Sequence, residues 1–170
     1  MMDLIILLGL GLAVMGAAST GAVYKPGAWY EGLAKPGWTP PNWLFPVAWM
    51  VLYVLMILAA WRVASGLAAG AYGASSGAAM AGMAFWTAQI TLNGIWSPLF
   101  FGIRRPDGAM VAILPLWASV ILTAVFFGQV DLTAALLFVP YIVWTSYAGA
   151  LNWKILQMNS DEKWGFPESA

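Results

Sequence analysis

Long segments without a single charged residue are the feature that most restricts how this chain can fold. A helix needs about 20 apolar residues to cross the hydrocarbon core of a bilayer. One uncharged segment, 63–103, is about twice that length, but a stretch rich in small and turn-forming residues at 65–77 divides it. The pattern therefore predicts five transmembrane helices, at about 4–24, 43–64, 79–102, 108–128 and 132–154.

The composition agrees with a membrane environment. Of the 170 residues only 8% are charged and 62% are hydrophobic, whereas a soluble domain carries roughly 25% charged residues. We therefore expect an all-α integral membrane protein, a five-transmembrane-helix bundle that forms one domain over 1–170. The first span begins with MMD and lacks the basic start of a signal peptide, so we expect it to be retained.

Several chemistries are excluded by the residue types that the chain lacks. It contains neither Cys nor His, which removes disulfides, thiolate nucleophiles, and the commonest metal ligand and general base. We expect no metal site and no required cofactor. The net charge is zero and no basic run occurs, so nucleic acid is not an expected partner. No charged residue lies in the middle of a span, which argues against an ion-coupled transporter.

Lysine and arginine residues predict the orientation, since they concentrate in cytoplasmic loops. In a five-helix topology only Arg62 falls on one side of the membrane. The N-terminus is therefore expected outside and the C-terminus in the cytoplasm. The basic residues on the cytoplasmic side are Lys25, Lys35, Arg104, Arg105, Lys154 and Lys163.

Polar residues at membrane depth share one face of the third predicted span. Gln89, Asn93 and Trp96 lie at positions i, i+4 and i+7. Burying two amides in lipid would cost several kcal/mol, so this face must point into the bundle. The amides either link helices by hydrogen bonds or line a pocket for a ligand. Pro98 falls inside the same span and is expected to kink it.

Aromatic residues form similar faces on two other spans. Trp49 and Tyr53 are one turn apart in the second span, and Tyr141, Trp144 and Ala148 share a face of the fifth. Tryptophan normally prefers the headgroup region, but Trp49 and Trp144 lie a turn or more inside their spans. Packing alone or an aromatic ligand pocket would explain each of them. Their coincidence with amides and tyrosines favours a pocket.

Small residues recur every four positions in the first and third predicted spans. Such a stripe lets another helix approach closely. It serves either packing within one chain or the contact of a homodimer. The residues are Gly9, Ala13, Ala17 and Gly21 in the first span, and Ala84 and Ala88 in the third.

Three segments resemble the translocator protein / tryptophan-rich sensory protein (TspO) family. They are KPGWTPPNWLFPVAWMVLY at 35–53, QITLNGIWSPLFFGIRRP at 89–106 and PYIVWTSYAGALN at 140–152. The resemblance implies a five-helix bundle, usually dimeric, with a pocket capped by the loop between the first two helices. It also implies binding of porphyrins and haem and, in some members, of sterols and of isoquinoline or benzodiazepine drugs. We expect a multi-pass protein of a bacterial inner membrane.

The resemblance also suggests individual roles. Trp49 and Trp144 correspond to the two pocket tryptophans of the family, and Ala148 to its small position on the last helix. The sterol-binding motif is not matched, because Tyr147 is separated from the nearest base, Lys154, by six residues. The expected ligand-binding residues are Trp38 and Pro41 in the capping loop, and Trp49, Tyr53, Gln89, Asn93, Trp96, Tyr141, Trp144 and Ala148 in the helices.

Two functions from different classes follow from the resemblance. The first is a receptor or transport protein that binds tetrapyrroles, protoporphyrin or haem, in an aromatic pocket and contributes to tetrapyrrole regulation. The second is an enzyme that degrades porphyrin in light, with Trp49 and Trp144 as the catalytic residues. A structural membrane partner without a ligand is the third and plainest reading. With no His available, a free-base porphyrin held by stacking is the simplest expectation.

Overall fold

A computed structural model describes residues 1–162, 164 and 165, and every regular element among them is helical. The prediction of an all-α protein is confirmed. A 3₁₀ turn, Gly73–Ser75, precedes α4, and a π-helical turn, Pro98–Gly102, follows it. The helices are α1 (Met2–Val23), α2 (Ala28–Gly32), α3 (Leu44–Ala68), α4 (Ser76–Ser97), α5 (Pro106–Gly128) and α6 (Leu132–Met158).

Four helices of the described part of the chain are long and apolar enough to cross a membrane: α1, α3, α5 and α6. They fit an integral membrane protein. The third predicted span corresponds to α4, which has 22 residues. Its composition is more polar, because Gln89 and Asn93 lie on its buried face and Thr87 and Thr91 on its exposed face.

Two helices extend beyond their predicted C-terminal ends. α3 continues past 64 to Ala68, and α6 continues past 154 to Met158. Arg62 and Lys154, the charged residues near the two predicted ends, lie inside the helices because their side chains reach polar partners. The Arg62 Nε lies 2.8 Å from Asp131, and the Lys154 Nζ lies 3.3 Å from Gln157. Lys163, used in the orientation argument, lies outside the described residues.

The third predicted span, 79–102, is not one regular helix. α4 ends at Ser97, and the next turn is π-helical. Pro98 has no backbone N–H, so the regular pattern of hydrogen bonds is interrupted there. The Ile103 N–H instead donates to the Pro98 carbonyl at 2.9 Å. The short α2 lies in the loop between the first two predicted spans, where we expected no helix, and five residues carry too little periodicity to predict one.

The bundle is built around α4, α5 and α6, which pack in chain order. α1 packs against α3 and α4, and α3 also contacts α6. α4 and α5 approach closely at Gly82, where an added Cβ would lie 2.6 Å from the Phe127 ring. The fully buried Phe127 also meets Phe138 of α6 edge to face, with ring centroids 5.7 Å apart.

Asp131 fixes the start of α6. Its carboxylate accepts a hydrogen bond from the Ala134 N–H at 3.0 Å and pairs with Arg62 of α3. It thus satisfies one of the free N–H groups at the helix start and joins two helices at the same end of the bundle.

The stripe of small residues is divided between the interior and the surface. Ala17 is buried against α4, and a Cβ added to Gly94 would lie 3.5 Å from its Cα. Gly21 faces Ser97 of α4. The second half of the stripe, Ala17 and Gly21, therefore packs against α4 of the same chain. The members that remain exposed are Gly9, Ala13, Gly21 and Ala84, and Ala88 is half-buried.

Candidate ligand-binding site

Four of the aromatic residues expected at the site lie together between α3 and α6. Trp49 and Tyr53 follow each other by one helical turn and stack, with ring centroids 5.3 Å apart and an interplanar angle of 28°. The Trp49 ring meets Tyr141 edge to face at 6.0 Å and Trp144 at 6.4 Å. We call Trp49, Tyr53, Tyr141 and Trp144 the aromatic cluster. Such edge and offset contacts are the favoured geometries of aromatic pairs.

Asn93 joins the aromatic cluster to α4. The Tyr53 hydroxyl donates to the Asn93 Oδ1 at 3.2 Å, and the Asn93 Nδ2 donates to the Tyr141 hydroxyl oxygen at 3.0 Å. This amide therefore links three helices. The amides of α4 were expected either to link helices by hydrogen bonds or to line a ligand pocket. Asn93 links helices.

Three other buried polar groups of the pocket region have no hydrogen-bond partner among the described residues. They are both amide atoms of Gln89, the Nε1 of Trp96 and both amide atoms of Asn152. The side chain of Gln89 is 0% exposed and that of Asn152 1%. Native proteins leave few buried polar groups unpaired. Trp96 and Asn152 also line a small cavity, whereas Gln89 does not.

A second group of aromatic rings surrounds Trp96. Its indole stacks on Phe100 at 4.9 Å and meets Phe101 edge to face at 5.9 Å. Tyr30 of α2 covers the same two rings at 6.0 and 5.4 Å. The π-helical turn contributes both phenylalanines, and such turns occur frequently at functional sites.

A small cavity of about 30 Å³ lies between these rings and α6. That volume holds about one water molecule, so the pocket is closed in this conformation. A larger ligand must separate its walls. The lining residues are Tyr30, Phe45, Trp96, Phe100, Phe101, Ala148, Leu151, Asn152 and Ile155.

The segment 25–43 covers this end of the bundle, and we call it the cap. Lys35 stabilises its fold, because the Nζ donates to the carbonyls of Tyr30, Glu31 and Leu33 at 2.6, 3.0 and 2.9 Å. The ammonium also lies 4.7 Å from the centre of the Tyr30 ring. Burial, together with the neighbouring Tyr147 hydroxyl, raises the pKa of Tyr30 above its usual value. Tyr30 is therefore neutral at physiological pH.

The end of α6 holds the cap in place. The Asn159 side chain pairs with the backbone of Ala34, accepting from its N–H and donating to its carbonyl, both at 2.9 Å. The Tyr147 hydroxyl donates to the Trp38 carbonyl at 2.7 Å, and the two rings lie 5.4 Å apart.

Eight of the ten expected site residues do not line the cavity: Trp38, Pro41, Gln89, Asn93 and the four residues of the aromatic cluster. Trp38 is 48% exposed on the outside of the cap, and the exposed Pro41 precedes α3, where its carbonyl accepts from the Leu44 N–H. Gln89 is buried but does not line the cavity either. Trp96 and Ala148 do line it.

Several residues of the site were missed by the sequence analysis. Phe45 lies one turn before Trp49 and packs edge-on to Trp144 at 5.9 Å, so helical spacing alone could have identified it. The sequence also places Asn152 one turn after Ala148, but it was not among the expected ligand-binding residues. Tyr30 and Asn159 gave no such signal, because their roles depend on how the cap folds back onto α6.

No charged side chain lines the cavity in the described part of the chain. Within the same residues there is no group of three or more acidic, His or Cys side chains that could hold a metal ion. The arrangement is suited to a flat apolar molecule that carries few polar atoms.

Comparison with known proteins identifies similar sequences over nearly the whole chain. The model of the TspO/MBR family matches residues 4–158. Protein CrtK of Rhodobacter capsulatus is 50% identical over 147 residues, which cover 86% of this chain and 88% of the relative. The tryptophan-rich sensory protein of Cereibacter sphaeroides is 42% identical, covering 93% and 92%. The translocator protein of Bos taurus is 34% identical, covering 85% of both.

Proposed function

The chain belongs to the TspO/MBR family, and from that premise we propose that it is a membrane receptor or transport protein for tetrapyrroles. Protoporphyrin or haem would bind in the pocket formed by the aromatic cluster and the rings around Trp96. The observation that carries the proposal is the contact of Trp49 with Tyr53, Tyr141 and Trp144 inside the bundle. Aromatic faces of this kind suit a flat apolar macrocycle.

We propose that α4 is a fifth transmembrane helix beside the four apolar ones. Its polar side chains Gln89 and Asn93 are buried, which would keep them away from lipid. The distribution of basic residues supports an outside N-terminus and a cytoplasmic C-terminus. Relatives in Rhodobacter and Cereibacter support a bacterial inner membrane.

Binding requires the pocket to open. A cavity of about 30 Å³ is an order of magnitude smaller than ordinary ligand sites, which are roughly 300–1,000 Å³. The cap is joined to α6 by the side chains of Asn159 and Tyr147. Release of these contacts would let the ligand in, and polar groups of the cap would meet the propionates.

The nature of the ligand follows from the side chains present. With no His in the chain, stacking of a free-base porphyrin is preferred over ligation of haem iron. The same apolar walls would accept isoquinoline or benzodiazepine drugs. The incomplete motif around Tyr147 and Lys154 gives less support for sterols.

We also propose a homodimer that uses the exposed part of the small-residue stripe. A surface groove between α1 and α4 is lined by Ala13, Gly16 and Ala17 on one side and by Gly94 on the other. Small residues allow close helix contact in membranes, where packing drives association. Gly9, Ala13, Ala84 and Ala88 would lie at or near this contact.

The binding proposal is tested by titrating purified protein in detergent with protoporphyrin and following tryptophan fluorescence. The expected result is quenching that saturates near one porphyrin per chain, with weaker binding by Trp49→Phe. Trp117→Phe is the matched control, because that indole is outside the cavity and bonds to Ser146 on the bundle surface. A linear response without saturation would contradict the proposal.

Light-dependent porphyrin degradation is the second candidate function. Trp49 and Trp144 are in edge contact with each other and adjoin three tyrosines, Tyr53, Tyr141 and Tyr147. A readily oxidised indole beside a photo-excited porphyrin is a chemically reasonable electron donor. Under illumination in air, porphyrin absorbance would decay faster with the wild type than with Trp49→Phe or Trp144→Phe. Equal decay rates would exclude a catalytic role for these residues.

A further inference from the structure

The buried amide of Asn152 and the indole N–H of Trp96 meet at the same small cavity. Both residues line it, and neither the Asn152 Nδ2 and Oδ1 nor the Trp96 Nε1 has a hydrogen-bond partner among the described residues. Asn152 is 1% exposed. Buried amides without partners are rare in native proteins, so two residues with free polar atoms at one cavity indicate a place for a polar ligand atom.

The walls of this cavity are otherwise apolar. The π-helical turn supplies Phe100 and Phe101, and α6 supplies Leu151 and Ile155. Among the described residues no charged side chain contributes to the lining. A charged group placed here would lose its hydration without meeting an opposite charge, which is strongly unfavourable.

The available atoms decide the class of group that fits. The Trp96 Nε1 can only donate, the Asn152 Nδ2 can donate as well, and the Asn152 Oδ1 can accept. A neutral oxygen with two lone pairs can accept from both N–H groups, whereas a carboxylate would bring an unpaired charge. A volume of about 30 Å³ is enough for one such oxygen.

The cavity lies beside the aromatic cluster, whose residues do not themselves line it. Phe45 lines the cavity and packs edge-on to Trp144 at 5.9 Å, and Ala148 follows Trp144 by one helical turn. A ring system bound against the cluster can therefore extend a substituent into the cavity. Asn93 is not available for this purpose, because its amide is bonded to Tyr53 and Tyr141.

We propose that Trp96 and Asn152 form a subsite for a neutral carbonyl oxygen, such as that of an ester, ketone or amide, on a flat apolar ligand. The inference rests on the proposed function and adds to it the chemical class of the ligand's polar group. The pocket prefers ligands whose buried end is an uncharged acceptor. Charged substituents stay at the rim.

The test uses porphyrins that differ in their peripheral groups. Protoporphyrin dimethyl ester carries neutral ester carbonyls, protoporphyrin carries carboxylates, and etioporphyrin carries only alkyl groups. Each is titrated into the full-length protein in detergent, as wild type, Asn152→Leu and Gln157→Leu. Leu keeps the branched shape of Asn but is larger, so the etioporphyrin titration reports any steric effect, and Gln157 is a matched control because its amide is exposed on the same helix.

The subsite predicts that Asn152→Leu weakens binding of the dimethyl ester by about tenfold, or about 1.4 kcal/mol. Binding of etioporphyrin stays within about twofold of wild type, and Gln157→Leu changes neither. An equal loss for the ester and etioporphyrin would overturn the subsite alone, since Asn152 would then only shape the pocket. Absence of saturable binding of any porphyrin to the wild type would overturn the proposed function and the subsite with it.

A measurement without ligand separates the subsite from a structural role. Leu in place of an amide that lacks partners should leave the unfolding temperature unchanged or raise it. A marked fall would show that the Asn152 amide is bonded within the protein and would overturn the subsite. Both variants are therefore compared by thermal unfolding before the titrations.

Discussion

Replacing Asn93 by Leu tests whether one amide holds three helices together. The side chain accepts from the Tyr53 hydroxyl and donates to the Tyr141 hydroxyl, at 3.2 and 3.0 Å. Leu has the same branching and number of side-chain heavy atoms, so the change removes both hydrogen bonds and adds only the larger volume of two methyl groups. The hydroxyl groups of the two tyrosines then lose these partners.

The expected loss can be worked from burial. Hydrogen bonds between helices in membranes contribute about 0.6 kcal/mol each on average, so two bonds amount to about 1.2 kcal/mol. Tyr141 is 0% exposed, and leaving its hydroxyl unpaired adds about 1–3 kcal/mol. Tyr53 is partly exposed and adds less. We expect a loss of about 2–4 kcal/mol, which for a chain of this size lowers the unfolding temperature by about 4–16 °C.

Thermal unfolding in detergent, followed by intrinsic tryptophan fluorescence, provides the assay. Asn93→Leu is measured alone and in a Tyr141→Phe background, where no hydroxyl is left unpaired at position 141. The double-mutant cycle should give a coupling energy of about 1 kcal/mol between the two residues. Thr91→Val is the control, since its exposed hydroxyl bonds only to its own helix. Additive effects at 93 and 141 would refute the hydrogen bond between them.

Three further substitutions test the cap and the helix contacts. Asn159→Ala removes both bonds to Ala34, so hydrogen exchange of the cap amides should accelerate at least about tenfold while exchange in the helices is unchanged; equal rates would contradict the anchoring role. Gly82→Ala places a methyl group against the buried Phe127 ring and should cost about 1–3 kcal/mol in thermal unfolding, and a neutral result would show that the contact is looser. Asp131→Ala removes both a helix cap and an ion pair and should cost about 1–2 kcal/mol, whereas Asp131→Asn keeps the cap and should cost less than about 1 kcal/mol; equal losses would show that the ion pair dominates.

Helical spacing predicted which aromatic and polar residues share a helix face, while their role in ligand binding stays a prediction. Trp49 and Tyr53 share a face because they are four residues apart, and the amide of Asn93 had to point inward because lipid cannot hydrogen-bond to it. These rules act within one helix or between a helix and its solvent. They need no knowledge of how the chain folds back on itself, so the sequence was sufficient.

The cap and the cavity could not be predicted in the same way. Tyr30 reaches Phe100 only because the cap folds over the end of the bundle, and the contact of Asn159 with Ala34 joins residues far apart in the chain. The π-helical turn after Pro98 has no periodic signal of its own, although the proline predicted an interruption. Sequence spacing also left open whether Asn93 links helices or faces a ligand. Its hydrogen-bond partners depend on the positions of α3 and α6.

Induced circular dichroism of a bound porphyrin tests the central claim most directly. A porphyrin free in a detergent micelle has no dichroism in its main visible absorption band, whereas one held rigidly against the aromatic cluster acquires a signal. Titration of the wild type should give a signal that saturates at one porphyrin per chain, that is lost in Trp49→Ala combined with Trp144→Ala, and that persists in Trp117→Phe. Absence of a signal in the wild type, or an unchanged signal in the double variant, would contradict binding at this site.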